Sequence, residues 1–183
     1  APEATLPESF SDIAGVRMLR DGRVLVLDVK EQRLVVANFQ TGHVEQVGRV
    51  GRGPREYARA VRLLALPADT TWLVDLGQRR ILLLVGSDIV GIVPAVAGAA
   101  ADSGLSPASL RGVDARGFVY FTGRGLAASE RGVVPADSVM LFAAARSGGA
   151  PEPLGRLAQA AAQITVRNGT GASGSVSIVR VPF

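Results

Sequence analysis

The chain repeats itself with a period of 47 residues, and that repeat restricts its fold more than any other feature. Arg23-Val-Leu-Val-Leu-Asp28 falls on Thr70-Thr-Trp-Leu-Val-Asp75. Without a gap, Lys30-Glu-Gln-Arg33-Leu34-Val35-Val36 then falls on Gly77-Gln-Arg-Arg80-Ile81-Leu82-Leu83. Upstream, Val16 and Leu19 fall on Leu63 and Leu66. A register held over roughly two dozen residues marks a repeat architecture. A third copy is looser. Gly117-Phe-Val-Tyr-Phe121 echoes Gly22 to Val26, and Ser138 to Phe142 stands for Arg33 to Ala37. Gly123 to Asp137 reads as an inserted loop, and Pro153-Leu-Gly155-Arg156-Leu157 repeats Gln46 to Val50. The units run approximately over 10–57, 58–105 and 106–157.

Each unit reads as strands. Apolar, β-branched runs of four to six residues alternate with Asp-Gly, Thr-Gly and Pro-Ala-Asp punctuation. Arg20-Asp21-Gly22-Arg23 predicts a hairpin turn, because Gly22 supplies the positive φ such turns need. Leu66 to Thr70 is its counterpart. The spacing predicts strands over 13–19, 23–28, 33–38 and 44–47, then over 60–66, 71–75, 80–85 and 89–93. Val176 to Val181 reads as a further strand. Four strands in a period of 40 to 50 residues is the pattern of a β-propeller blade.

Composition agrees with one folded domain over 1–183. The chain is 48% hydrophobic and 20% charged, which excludes disorder. It has no cysteine, so disulfides, thiolate nucleophiles and cysteine-based zinc sites are all excluded. Of its 20 basic residues only Lys30 is lysine. Five arginines (49, 52, 55, 59, 62) face one acid, Glu56, between Gly48 and Arg62, and this single stretch equals the +4 net charge of the whole chain. A nucleic-acid surface would spread its cations along a groove interleaved with aromatics. Here only Tyr57 accompanies them, so nucleic acid is not the expected partner. The apolar run from Ile81 to Ala101 contains Asp88, Pro94 and three glycines, and its first part matches a strand of the first unit, so no transmembrane segment is expected. The chain begins at Ala1 without a targeting pattern, as a processed or excised chain would.

Gly48-Arg49-Val50-Gly51-Arg52-Gly53-Pro54-Arg55-Glu56-Tyr57 resembles the G-R-x-G-x-G-P-G-E-[FY] loop of bacterial six-bladed β-propellers of the TolB-like, NHL-repeat-related kind. The strand pattern at Asp21 to Val36 and at Thr70 to Leu83 is similar to theirs too. The resemblance covers about residues 10–157. It implies three to four four-stranded blades of six, a loop that leads from one blade into the next, and a periplasmic or secreted location. Arg55 stands where that family has Gly, so this position is not expected to be left-handed. Fewer than four blades cannot close a ring, so unpaired apolar flanks and self-association of the 183-residue chain are expected.

The candidate site residues each carry a structural reading beside a chemical one. The glycines 48, 51 and 53 suggest a phosphate cradle, but Pro54-Arg55 replaces the Lys and hydroxyl of a P-loop, and Glu56 replaces the third Gly of a dinucleotide fingerprint. They are read instead as giving the chain unusual φ/ψ between blades, stiffened by Pro54. Arg49, Arg52, Arg55 and Arg59 could bind an anion or a partner, or could lie in solvent and pair with Glu56. Asp28 and Asp75 share one repeat position. Two axial carboxylates could hold a cation or act as acid and base, but a strand-end Asp ordinarily caps a turn through its own backbone. Arg33 and Arg80 are their expected ion-pair partners, and Tyr57 is the expected buried anchor of the loop. Trp72 is set against Val24, to within one position, as packing. His43 lies in a turn without metal co-ligands or a catalytic set around it. The expected function is a non-catalytic binding or scaffold module for a protein, peptide or glycan, without cofactor or metal. The alternative is a lactonase- or lyase-like enzyme with a divalent metal on the propeller axis.

Overall fold

The computed structural model of the protein describes residues 4–93, 109–123, 138–146 and 150–158. Within these the chain is all-β, with three four-stranded antiparallel sheets of blade-like organisation. The first holds β1 (Ile13–Met18), β2 (Val24–Asp28), β3 (Arg33–Asn38) and β4 (His43–Gln46). A two-residue parallel pair follows, β5 (Arg49–Val50) with β6 (Glu56–Tyr57). The second sheet holds β7 (Ala60–Ala65), β8 (Thr70–Asp75), β9 (Arg80–Val85) and β10 (Asp88–Ile92). The third holds β11 (Leu110–Val113), β12 (Phe118–Gly123), β13 (Ser138–Ala145) and β14 (Glu152–Ala158). In each four-stranded sheet the spatial order is the chain order. The first eight predicted strands agree with the observed ones to within a residue at either end. The predicted strand at Val176 to Val181 and most of the inserted loop lie outside the described residues.

The repeat is a repeat of bonds as well as of letters. Asp28 pairs across from Arg33, and Asp75 from Arg80. In the first strand of each of these two sheets the register slips at the same place, between Ile13 and Gly15 and between Ala60 and Arg62. Gln32 and Arg79, again 47 apart, both take positive φ, at 51°. Val29 N–H donates to Asp12 O at 2.9 Å, and Leu76 N–H to Arg59 O at 2.8 Å. Trp72 pairs with Leu83 as Leu25 pairs with Val36, so its counterpart is Leu25, one position from Val24 as the expected tolerance allows. One expectation needs correcting. Gly155 is not the counterpart of Gly48 in conformation. Gly48 takes φ +64° just after β4, whereas Gly155 stays in β14 opposite Leu141.

Strand alternation places apolar residues on both faces of each middle strand, as sheets covered on both sides require. Leu25, Leu27, Leu34 and Val36 pack against Leu73, Leu82, Leu84 and Ile89, joining the first sheet to the second. Trp72, Val74 and Ile81 pack against Val119, Phe121 and Phe142, joining the second to the third. The first strands adjoin, with β7 beside both β1 and β11. They are also tied by charge-assisted hydrogen bonds. The Arg17 guanidinium donates to Leu66 O at 2.8 Å and to Thr70 O, and that of Arg62 to Leu110 O. Exposed apolar side chains include Ile13, Val16 and Met18 on β1, and Phe118, Leu154 and Leu157 on the third sheet, although Val26, Val35 and Ala37 of the first sheet are buried. The apolar run that starts at Ile81 forms β9 and β10 as far as Ile92. Among the described residues, no helix is long and apolar enough to cross a membrane.

Candidate functional site

The segment 48–59 leaves the first sheet at Val47 and enters the second at Ala60. Gly48 makes the departure possible. Its φ of +64° suits glycine, and a Cβ there would come within 2.7 Å of Ile89 Cδ1. Gly51 and Gly53 serve a different need from the one read in the sequence, since neither takes positive φ. Their missing side chains leave room for the Glu56 carboxyl group, whose Cδ would lie 2.6 Å from a Cβ at Gly51 and 3.0 Å from one at Gly53. Glu56 folds back into the loop as its internal acceptor. It receives Gly53 N–H at 2.7 Å and Arg49 Nε at 2.6 Å. Arg55 is not among the residues with positive φ.

Tyr57 and Arg80 then fix the loop to the sheets. Tyr57 is 0% exposed, within the core between the first two sheets, and its hydroxyl accepts Leu34 N–H at 3.0 Å. Burial pushes its phenol pKa up, against the opposing effect of that bond. Arg80 reaches from β9 to Glu56 O at 2.6 Å and Gly53 O at 2.7 Å, with its Nε 3.5 Å from Asp75. The expected Asp75–Arg80 ion pair is therefore present. The matching Asp28–Arg33 pair is not, because Arg33 is taken by Glu8 at 2.5 Å and Glu31 at 3.7 Å and also bonds Ser9 O. Glu8 and Ser9 precede the first sheet as Arg55 and Glu56 precede the second. The first position carries an acid where the second carries a base, and that exchange redirects the arginine.

Asp28 and Asp75 do not open onto a reaction space. Both are 0% exposed and bound to their own backbone. Asp28 receives the N–H groups of Ser11, Asp12, Lys30 and Glu31, and Asp75 those of Ala58, Arg59 and Gly77. Each clips the segment leading into its sheet onto the β-turn that follows its own strand. Burial pushes the Asp28 pKa up, but the four backbone donors outweigh it and hold the carboxyl below the usual range. For Glu56 the Gly53 N–H and then Arg49 lower the pKa. Both groups bind protons more weakly folded than unfolded, so their stabilisation is present above the unfolded carboxylate pKa of about 4 and is lost as pH falls through the folded value. The melting temperature is expected to fall steadily as pH is lowered from about 5 to about 2. Thermal scans across that interval check this, and a flat profile would contradict it.

The four candidate arginines are exposed but not equivalent. Arg49 is paired with Glu56. Among the described residues, the side chains of Arg52, Arg55 and Arg59 have no hydrogen-bond or ion-pair partner. Arg55 borders a cavity of about 170 Å³ that sequence reading missed, since its other walls come from β3, β4 and the β9–β10 hairpin. Among the described residues, no three metal-ligating side chains converge, and His43 is an exposed β4 residue.

No protein-family profile matches the chain. No curated protein matches it. Among solved structures, it is similar to a crystal structure described as a "Putative exported protein" from Bacteroides fragilis NCTC 9343, at 22% identity and a TM-score of 0.40, over 50% of this chain and 26% of that one.

Proposed function

We propose that this chain is a non-catalytic binding module of β-propeller type, and that the loop 48–59 presents arginine to a protein or peptide partner bearing carboxylates. The observation that supports it is the state of Arg52 and Arg59. They are exposed and uncommitted on a loop whose backbone is held by Tyr57, Glu56 and Arg80. A fixed backbone removes the cost of ordering the loop on binding, and the planar guanidinium fork loses less freedom per hydrogen bond to a carboxylate than a lysine ammonium does. The propeller reading is supported by three successive meander sheets stacked face to face with adjoining first strands. The resemblance to the TolB-like family carries a periplasmic or secreted location with it.

The test is fluorescence anisotropy of a labelled oligoglutamate peptide, with an oligouronate glycan as a second probe. Saturable binding at low ionic strength is expected, weakening as salt is raised. The double variant Arg52→Ala/Arg59→Ala should bind at least about fivefold more weakly with an unchanged melting temperature, since exposed side chains contribute little to stability. Equal binding by the variant would overturn the role of the loop. Preference for the glycan would replace the peptide as the partner class.

A further inference from the structure

The cavity beside the loop lies where the first two sheets diverge at their outer strands. Its floor is Val36, Val47 and Ile89, all buried. Glu45 is the cross-strand partner of Val36, so it stands on the face of the first sheet that looks toward the second. Asp88 begins β10 on the opposite side, next to Ser87, and Arg55 closes the loop side. Gly48 keeps the base open, because a side chain there would run into Ile89. Among the described residues, the side chains of Glu45, Arg55, Ser87 and Asp88 have no hydrogen-bond or ion-pair partner. Two carboxylates and one guanidinium thus border a small, largely polar hollow with an apolar floor, without neutralising one another.

We propose that this cavity recognises a basic amino acid with a free α-carboxylate, lysine or arginine. A ligand of that class carries the complementary set, a carboxylate for Arg55 and cationic groups for Glu45 and Asp88, and these are charge-assisted contacts. Its methylene stem supplies apolar surface for Val36, Val47 and Ile89, in the way long cationic side chains cover apolar patches. The volume of about 170 Å³ suits a ligand of this size and falls below the range of about 300–1,000 Å³ found for drug-sized ligands. The carboxylate and the side-chain cation are offered both by the free amino acid and by the last residue of a peptide, and only the free amino acid adds an α-ammonium as a second cation. The site uses neither Arg52 nor Arg59, so it stands or falls independently of the loop proposal.

Calorimetry and amide chemical-shift mapping on the full chain test this, with L-lysine, lysinamide, L-glutamate and the tripeptide Ala-Ala-Lys as probes. Saturable binding of L-lysine at millimolar concentration or below is expected, with shifts centred on Val36 and Ile89. Lysinamide should bind at least about tenfold more weakly, which corresponds to the loss of one charged contact, and L-glutamate should not bind. Arg55→Ala and the double variant Glu45→Gln/Asp88→Asn should each lose about tenfold or more, whereas Arg20→Ala, an exposed arginine outside both sites, should match the parent. Tighter binding of Ala-Ala-Lys than of L-lysine would identify the peptide terminus as the source, and the reverse the free amino acid. No saturable binding of either, equal binding of lysinamide, or full binding by Arg55→Ala would overturn the proposal.

Discussion

Replacing Tyr57 with alanine is expected to lower the free energy of unfolding by about 3–5 kcal/mol, the range for a buried aromatic. Its ring lies in the core between the first two sheets, in one buried cluster with Leu34 and Ile89. The phenylalanine variant separates ring from hydroxyl. It keeps the packing but leaves Leu34 N–H without its acceptor, for a loss of about 1–3 kcal/mol. Urea denaturation of both variants checks the pair of values. A Tyr57→Ala loss below about 1 kcal/mol would mean that the loop is not anchored through this ring.

The second large effect belongs to Asp75. Asp75→Ala strips the acceptor from three backbone N–H groups and leaves the Arg80 guanidinium, itself largely buried, without a counter-charge. Removing one member of a buried ion pair typically costs about 3–5 kcal/mol. Asp75→Asn should fall between the alanine variant and the parent, since one oxygen still accepts while the charge is gone. Because Arg80 also holds Gly53 O and Glu56 O, the damage should spread to the loop. Faster amide exchange at Gly53 and Glu56 is the local readout, and unchanged exchange there would show that Arg80 holds the loop without help from Asp75.

The sheets were legible because their signals are local. Alternation, turn residues and the 47-residue register locate β1 to β4 and β7 to β10, and the recurrence of Asp28 as Asp75 marks a backbone clip. What escaped the sequence depends on what lies opposite in space. Gly51 and Gly53 look like hinges until the Glu56 carboxyl is seen filling the space beside them. Arg33 looks like Arg80 until Glu8 is found within reach, a contact set by the path of the preceding segment. The cavity at Arg55 joins residues from 36 to 89, and no spacing along the chain announces that Glu45 and Asp88 face one hollow.

Among the described residues, every strand in the three four-stranded sheets pairs only with its neighbours in sequence, and this bears on how the chain can fold as it is made. In the first two sheets hairpin closure needs only short loops and proceeds in microseconds, so each of these meanders can zip as soon as its own residues are available. The Asp75 clip closes over residues 58 to 77, so it too completes within one unit. Yet a first sheet alone leaves Leu25, Leu27, Leu34 and Val36 facing water until Leu73, Leu82 and Leu84 arrive. An isolated small sheet of that kind is marginal. During synthesis the nascent chain is therefore committed in steps of two sheets, with the arginine-rich loop as the seam that is fixed at the first step.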